Sequence, residues 1–253
     1  MGIVYALWPT DGEPTAVTDA DLERLYDYPP ELTEPWVQAN MVSSADGAAA
    51  VDGRSAGLSH PADKRVFALG RDLADVVLVG AGTAQAERYA GIKPRELRTS
   101  RRQARGLSPL PPIAVVTNRC SLSPQSPLLT DTMVPPIVLT CAAAPAERRD
   151  GLADAGADVV VVGEDSVDLP SAVRALGDRG LYRIDCEGGP RLLGAMVAAD
   201  LVDQLCLTVS PLLAGAGAER IVSGPAMTGP PRSLRLASVL TADGFLMLRY
   251  RRA

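Results

Sequence analysis

A chain of 253 residues, 47% of them hydrophobic, is long enough to bury a full core in one large domain or two small ones. A net charge of −5 and an aromatic share of 4% argue against nucleic acid as the main ligand, because phosphate backbones select basic surfaces and single strands need stacking platforms. Mean hydropathy is +0.09, and no apolar run reaches the roughly 18 to 20 residues that span a bilayer.

Residues 1–35 are turn-rich and read as an N-terminal extension, with one short amphipathic helix in "TDADLERLYDYPP" that Thr18 or Asp19 can cap before Pro29 ends it. From Trp36 the pattern becomes regular, and residues 36–253 read as a single domain. "PWVQANMV" predicts a strand that runs into the polar turn "SSADGAA". "HPADKRVFALGRDLA" predicts a helix with Pro61 in its first turn and His60 as a capping or surface residue. "DVVLVGAG" is continuously apolar and β-branched, the signature of a strand buried on both faces, and a short helix begins after it at "TAQAERY".

Residues 91–111, basic and Pro-containing, read as an exposed, solvated loop. Beyond them strands are predicted at "PIAVVTN", "PPIVLT", "ADVVVVG" and "GLYRIDC". Helices are predicted at "APAERRDGLADAG", "DLPSAVRALGDRG" and "PRLLGAMVAA", with Asp168 as a cap and Gly180 closing its segment. Strands alternating with helices of this length imply right-handed crossovers and an α/β fold with a mostly parallel central sheet. The end differs: "VDQLCLTVSPLL", "SLRLASVLTADG" and "FLMLRYR" alternate with period two and predict an antiparallel edge.

In such a sheet ligands bind beyond the carboxyl ends of the strands, where loops feed helix N-termini. Three glycine turns occupy that position. "VGAGT" brings Gly80, Ala81, Gly82 and Thr83, whose free N–H groups suit a phosphate. "EGGP" brings Glu187, Gly188, Gly189 and Pro190, and "VGEDS" brings Gly163. Each alone also fits a tight turn with no ligand; together they suggest an extended, phosphate-bearing cofactor across the strand ends. Thr117, with Asn118 and Arg119, ends another strand where a ribose 2′-phosphate could be gripped. "NMVSSADG" adds Asn40, Ser44 and Asp46, although Asp46–Gly47 also reads as a plain hairpin turn.

Several chemistries lack their signatures. There is no Walker-type phosphate loop, no G-x-S-x-G nucleophile elbow and no cysteine with a histidine partner. The four cysteines (Cys120, Cys141, Cys186 and Cys206) are widely spaced without C-x-x-C, which predicts buried free thiols and no metal site. The start of the chain shows no basic region followed by a long apolar stretch, so a cytoplasmic protein is expected.

In this order, "NMVSSADGAA", "LADVVLVGAGTAQAE", "GLYRIDCEGGPRLLGAMVAADLVDQLCLTVSPLLAGAG" and the closing hairpin resemble the reductase family of riboflavin biosynthesis. The resemblance runs from about Trp36 to Tyr250. It implies a dihydrofolate-reductase-like fold, NADPH as cofactor, a homodimer, and reduction of the ribosyl group of a pyrimidine intermediate to ribityl. Carried residue by residue, it implies that Gly80 to Thr83 and Gly188 to Leu192 hold the dinucleotide. It also implies that Asp46 and Glu187 face the substrate and nicotinamide as catalytic candidates, with Ser44 and Asn40 lining the same cleft. Two departures stand out. The zinc patterns H-x-E and P-C-x-x-C of the bifunctional enzyme's deaminase half are missing, and "AQAERYAGIKPRELR" replaces the family's acidic segment ending in a substrate-gripping Arg. Arg88, Lys93 and Arg95 are the cations available there. Reduction of dihydrofolate or another pteridine, or nucleotide binding without catalysis, are the competing readings.

Overall fold

The computed structural model describes residues 3–10, 12–224 and 229–253. In chain order the elements are β1 (Tyr5–Trp8), β2 (Thr15–Ala16), α1 (Asp19–Tyr26), β3 (Trp36–Ser44), α2 (Pro61–Leu73), β4 (Val76–Gly80), α3 (Ala81–Ala86), α4 (Thr99–Ala104), β5 (Ile113–Val116) and α5 (Pro127–Thr130), then β6 (Ile137–Thr140), α6 (Ala146–Asp154), β7 (Asp158–Val161), α7 (Leu169–Gly177), β8 (Arg183–Cys186), α8 (Pro190–Ala198), β9 (Gln204–Ser210), β10 (Leu234–Ala242) and β11 (Phe245–Arg252). They form one sheet ordered β2-β1-β10-β11-β9-β3-β8-β4-β5-β6-β7. From β9 to β7 the pairs are parallel, and from β9 outward through β11, β10 and β1 they are antiparallel. β9 is therefore not wholly part of an antiparallel edge: it runs parallel to β3 and antiparallel to β11.

The apolar runs explain the layers. On β4, Val76 and Leu78 pack toward α7 and α8, while Val77 and Val79 pack toward α3, α5 and α6. Alternate residues of one strand thus reach opposite cores, which is why β4 reads as continuously apolar. α1 and α2 cover the antiparallel half through Leu22, Tyr26, Val66, Leu69 and Leu73 against Cys206, Leu240 and Met247. Each such fully buried side chain contributes about 1.5–3 kcal/mol. The caps follow the sequence. His60 accepts from the Ala62 N–H at the start of α2, Asp168 accepts from Ser171 N–H at 3.0 Å, and Gly180 lies at φ +74 just past α7.

Two segments depart from expectation. Residues 91–111 are not a solvated loop throughout. Arg101 and Arg102 on α4 are buried, because their charges meet the carboxylates of Asp72 and Glu23 and the carbonyls ending α2. The N-terminal extension, expected to be turn-rich with one helix, also contributes a strand: β1 pairs with β10, and Leu22, Tyr26 and Tyr28 enter the core. No helix among the described residues is long and apolar enough to cross a membrane.

Candidate active site

β3, β8 and β4 are neighbours, so the turns at their carboxyl ends converge on one cleft of about 670 Å³. Asn40 from β3, Phe67 and Arg71 from α2, Gly82 and Thr83 from α3, Tyr89, Glu187, Gly189 and Pro190 line it. The "VGAGT" and "EGGP" turns meet directly: Gly80 N–H donates to Gly188 O at 2.7 Å.

Glu187 follows β8, and its N–H donates to Leu78 O at 2.9 Å. Its side chain is wholly enclosed, yet fully partnered. Arg71 donates through Nε to Oε1 at 2.6 Å and through Nη2 to Oε2 at 2.8 Å, and the Tyr89 hydroxyl donates to Oε2. Bidentate geometry of this kind is the strong form of a charge-assisted bond. The Arg71 guanidinium also sits 4.7 Å from the Phe67 ring centre and 5.5 Å from that of Tyr89. Burial works against the Arg71 charge, but the Glu187 carboxylate more than offsets it, so the Arg71 pKa is raised. Burial first, and then the Glu187 charge, hold the Tyr89 phenol far above its ordinary pKa, which keeps it a hydrogen-bond donor.

Below this group lies Asp185, two residues back on the same face of β8. It is fully buried, and neither carboxyl oxygen has a partner among the described residues. Burial, followed by the Glu187 charge, pushes its pKa well above the usual carboxylate range, so Asp185 is favoured as the neutral acid. It presses against α2 where the chain has Gly70; a Cβ there would lie 2.6 Å from Oδ2.

The glycines divide by role. A Cβ on Gly189 would lie 2.2 Å from Thr83 Oγ1, and one on Gly188, at φ +78, would lie 2.9 Å from Met41 Sδ. These glycines therefore make room for the protein's own side chains. A Cβ on Gly82 would meet nothing within 4 Å, so its space is open. Gly80 and Gly189 begin α3 and α8 without any side-chain cap, which leaves first-turn N–H groups of both helices available.

Other expected residues lie elsewhere. Asp46 is exposed and not among the residues lining the cleft. Its carboxylate accepts from the Ser44 hydroxyl, from Ala214 N–H at 3.0 Å and from Gly215 N–H at 2.8 Å, and these bonds lower its pKa to about 2. It is an anion at neutral pH, and it holds the backbone amides of Ala214 and Gly215 beside the turn that follows β3. Ser44 is buried beside it and accepts from Ala48 N–H at 2.8 Å. Ala81 and Leu192 are core residues on the two helices. Thr117 is buried at the end of β5, where its hydroxyl accepts from Arg119 and Ser121 N–H groups. Gly163, at φ +110, closes a turn at the end of β7 in which a Cβ would sit 2.2 Å from Ser166 O. It stands at the sheet's far edge, away from β4 and β8.

Arg71, Phe67 and Tyr89 are the members that sequence reasoning missed. Arg71 and Glu187 are 116 residues apart, and nothing in a helix pattern marks one arginine for a carboxylate on a distant strand. Among the described residues, no group of three or more His, Cys, Asp or Glu side chains could hold a metal ion.

The model of the RibD C-terminal domain matches residues 35–247. The chain belongs to the RibD C-terminal domain family. This RibD-type chain is 30% identical over 183 residues to the Archaeoglobus fulgidus protein named 2,5-diamino-6-ribosylamino-4(3H)-pyrimidinone 5′-phosphate reductase, covering 72% of this chain and 82% of that one. The Methanothermobacter thermautotrophicus protein of the same name is 28% identical, covering 80% and 90%. Among solved structures, a pyrimidine reductase-like protein from Corynebacterium diphtheriae is 26% identical and superposes with a TM-score of 0.76 over 87% of this chain and 92% of that chain. The riboflavin biosynthesis reductase of Saccharomyces, 17% identical with a TM-score of 0.62, shares the fold. As a member of this family, the chain is an oxidoreductase of the riboflavin-biosynthesis reductase type, with a dihydrofolate-reductase-like fold.

Proposed function

We propose that this chain reduces the ribosyl group of a ribosylaminopyrimidine 5′-phosphate to ribityl, with NADPH as cofactor. The observation that carries the reading is the pair of uncapped helix starts at Gly80 and Gly189, set side by side over the cleft that holds Glu187. First-turn amides of α3 and α8 suit pyrophosphate oxygens, and the open space at Gly82 lets them approach. These residues fit a dinucleotide. NADPH, when bound, supplies the hydride. Glu187, its side chain enclosed and gripped by Arg71 and Tyr89, holds those two side chains in place at the cleft wall, where they meet the substrate. Asn40 adds an amide to the same wall.

The choice of NADPH over NADH rests on Arg119 and Arg148. Arg148 Nη1 donates to Arg119 O at 3.3 Å beyond the end of β5, and neither guanidinium has a carboxylate partner among the described residues. Replacing both by Ala should raise the KM for NADPH about tenfold or more and leave that for NADH unchanged, since a charge-assisted bond contributes about 1.5–3 kcal/mol.

A homodimer is part of the proposal. Three cross-strand rows, Thr241–Leu246–Val209, Val239–Leu248–Leu207 and Leu236–Tyr250–Leu205, lie on the face of β10, β11 and β9 turned away from α1 and α2. Leu236 and Leu246 are both 37% exposed. Leu205 and Leu207 also pack against the cluster of Ala39, Met41 and Leu193, and a second copy of the chain would cover the apolar side chains left exposed beside them.

The test is NADPH oxidation with the diaminopyrimidinone and uracil forms of the ribosylamine phosphate, set beside dihydrofolate. Turnover of a ribosylaminopyrimidine supports the reading. Turnover of dihydrofolate alone, or NADPH binding without oxidation of either, overturns it.

A further inference from the structure

The buried arginines of α4 are not explained by the cleft. Arg102 is fully enclosed, and its Nη1 donates to the carbonyls of Arg71 at 2.9 Å, Asp72 at 3.2 Å and Ala74 at 2.8 Å, while its Nε donates to Ser108 O at 2.7 Å. These carbonyls end α2, where no intrahelical donor remains and where the helix dipole favours a cation. The neighbouring Arg101 grips the same turn by its side chain, through the Asp72 carboxylate, and reaches Glu23 on α1 at 2.6 Å. Asp72 also accepts from Arg98 N–H at 2.8 Å. One of the clamped carbonyls belongs to Arg71, whose guanidinium forms the bidentate pair with Glu187.

The geometry points to Arg102 as a positioning residue: it fixes the carbonyl end of α2 and thereby holds Arg71 square on Glu187. Water caps most helix ends, but water would not set the position of the one residue whose guanidinium orients the site carboxylate. A displacement of about 1 Å at such a group can cost about 10²-fold in rate. The inference rests on the proposed role of Glu187 and extends it to a residue that touches neither substrate nor cofactor.

Arg102→Met keeps an unbranched apolar stem of similar width and removes the donors beyond it. Made in the wild-type chain, it should lower kcat/KM for the ribosylaminopyrimidine about tenfold or more. Made in a Glu187→Gln chain, it should cost far less, because the pair it positions is already broken. The Nε–H resonance of Arg71, assigned by its loss in Arg71→Lys, should broaden or shift in Arg102→Met. Arg105→Met, which breaks pairs to Glu23 and Asp27 from the same helix without touching the carbonyls of α2, should leave both readouts alone. Equal losses in the two backgrounds, or an unmoved Arg71 resonance, overturn the inference. Should Arg102→Met fail to fold, Arg102→Lys takes its place in both comparisons, since one ammonium cannot serve all four carbonyls, and the same outcomes decide. A wild-type chain inactive on the pyrimidine refutes the proposed function, and the resonance still reports on the clamp.

Discussion

Glu187 and Asp185 sit two residues apart on one strand and have opposite electrostatic fates. Glu187 meets a guanidinium and a phenol, whereas Asp185 meets neither, so burial decides its state. Replacing Glu187 by Gln leaves the largely enclosed Arg71 with only the half-exposed Glu96 carboxylate at 3.9 Å, and removing the buried partner of such a pair costs up to about 3–5 kcal/mol. Glu187→Gln, which frees Arg71 and Tyr89 from their fixed orientation, should therefore lower both the unfolding midpoint in urea and turnover, the latter by about 10²-fold. Asp46→Asn, which keeps one acceptor oxygen for the 214–215 amides, should cost less in turnover; the reverse order would give Asp46 the larger role. Asp185 makes a prediction in pH. Its folded pKa is raised above the ordinary value of 3.8, so the stability it contributes is complete below that value and is lost as pH rises toward the folded pKa. Asp185→Asn removes this dependence. The variant should gain on the wild type in urea unfolding from about pH 4 upward, and a constant difference across that range would show that Asp185 ionises normally.

At the scale of elements, the proposed dinucleotide site depends on two helix starts, uncapped and close together. Gly82→Ala and Gly189→Ala separate packing from ligand space. Gly82 lies inside α3 with open space around it, so Ala there should leave stability unchanged or raise it by about 0.5–1 kcal/mol while weakening NADPH binding. Gly189→Ala drives a Cβ onto Thr83 and should weaken both. Isothermal titration beside thermal unfolding measures the two effects; a Gly82→Ala chain that binds NADPH as tightly as wild type removes the dinucleotide from this turn. The elements themselves were legible in the sequence because their signals are local. β4 announces itself by an unbroken β-branched run, α7 by Asp168 and Gly180, and α2 by Pro61. The α4 arginines were misread for the opposite reason: a buried cation looks like a solvated one until its partners, on α1 and at the end of α2, are brought beside it.

Over the whole molecule, the parallel half builds the cleft and the antiparallel half presents the apolar rows. Leu246→Arg places a charge on the central strand of that face, in its end row, at a position whose neighbours on β10 and β9 are Thr241 and Val209. Light scattering after gel filtration should find this variant monomeric and the parent dimeric; identical masses for the two would remove the interface from this face.

What the sequence determined by itself was the order of the main strands and helices from Trp36 onward, without α4 and α5, the glycine turns, the resemblance of their arrangement to a reductase family and the presence of Glu187 at a strand end. These depend on spacing, propensity and capping within a few residues. Only the tertiary structure placed Glu187 and not Asp46 among the residues lining the cleft, set Gly189 against Thr83, and brought Arg71 and Tyr89 onto the Glu187 carboxylate. Those outcomes rest on contacts across 98 and 116 residues of chain, between elements whose relative placement is fixed by sheet order and helix packing. Burial and charge act at those distances in space, and no pattern along the chain records them.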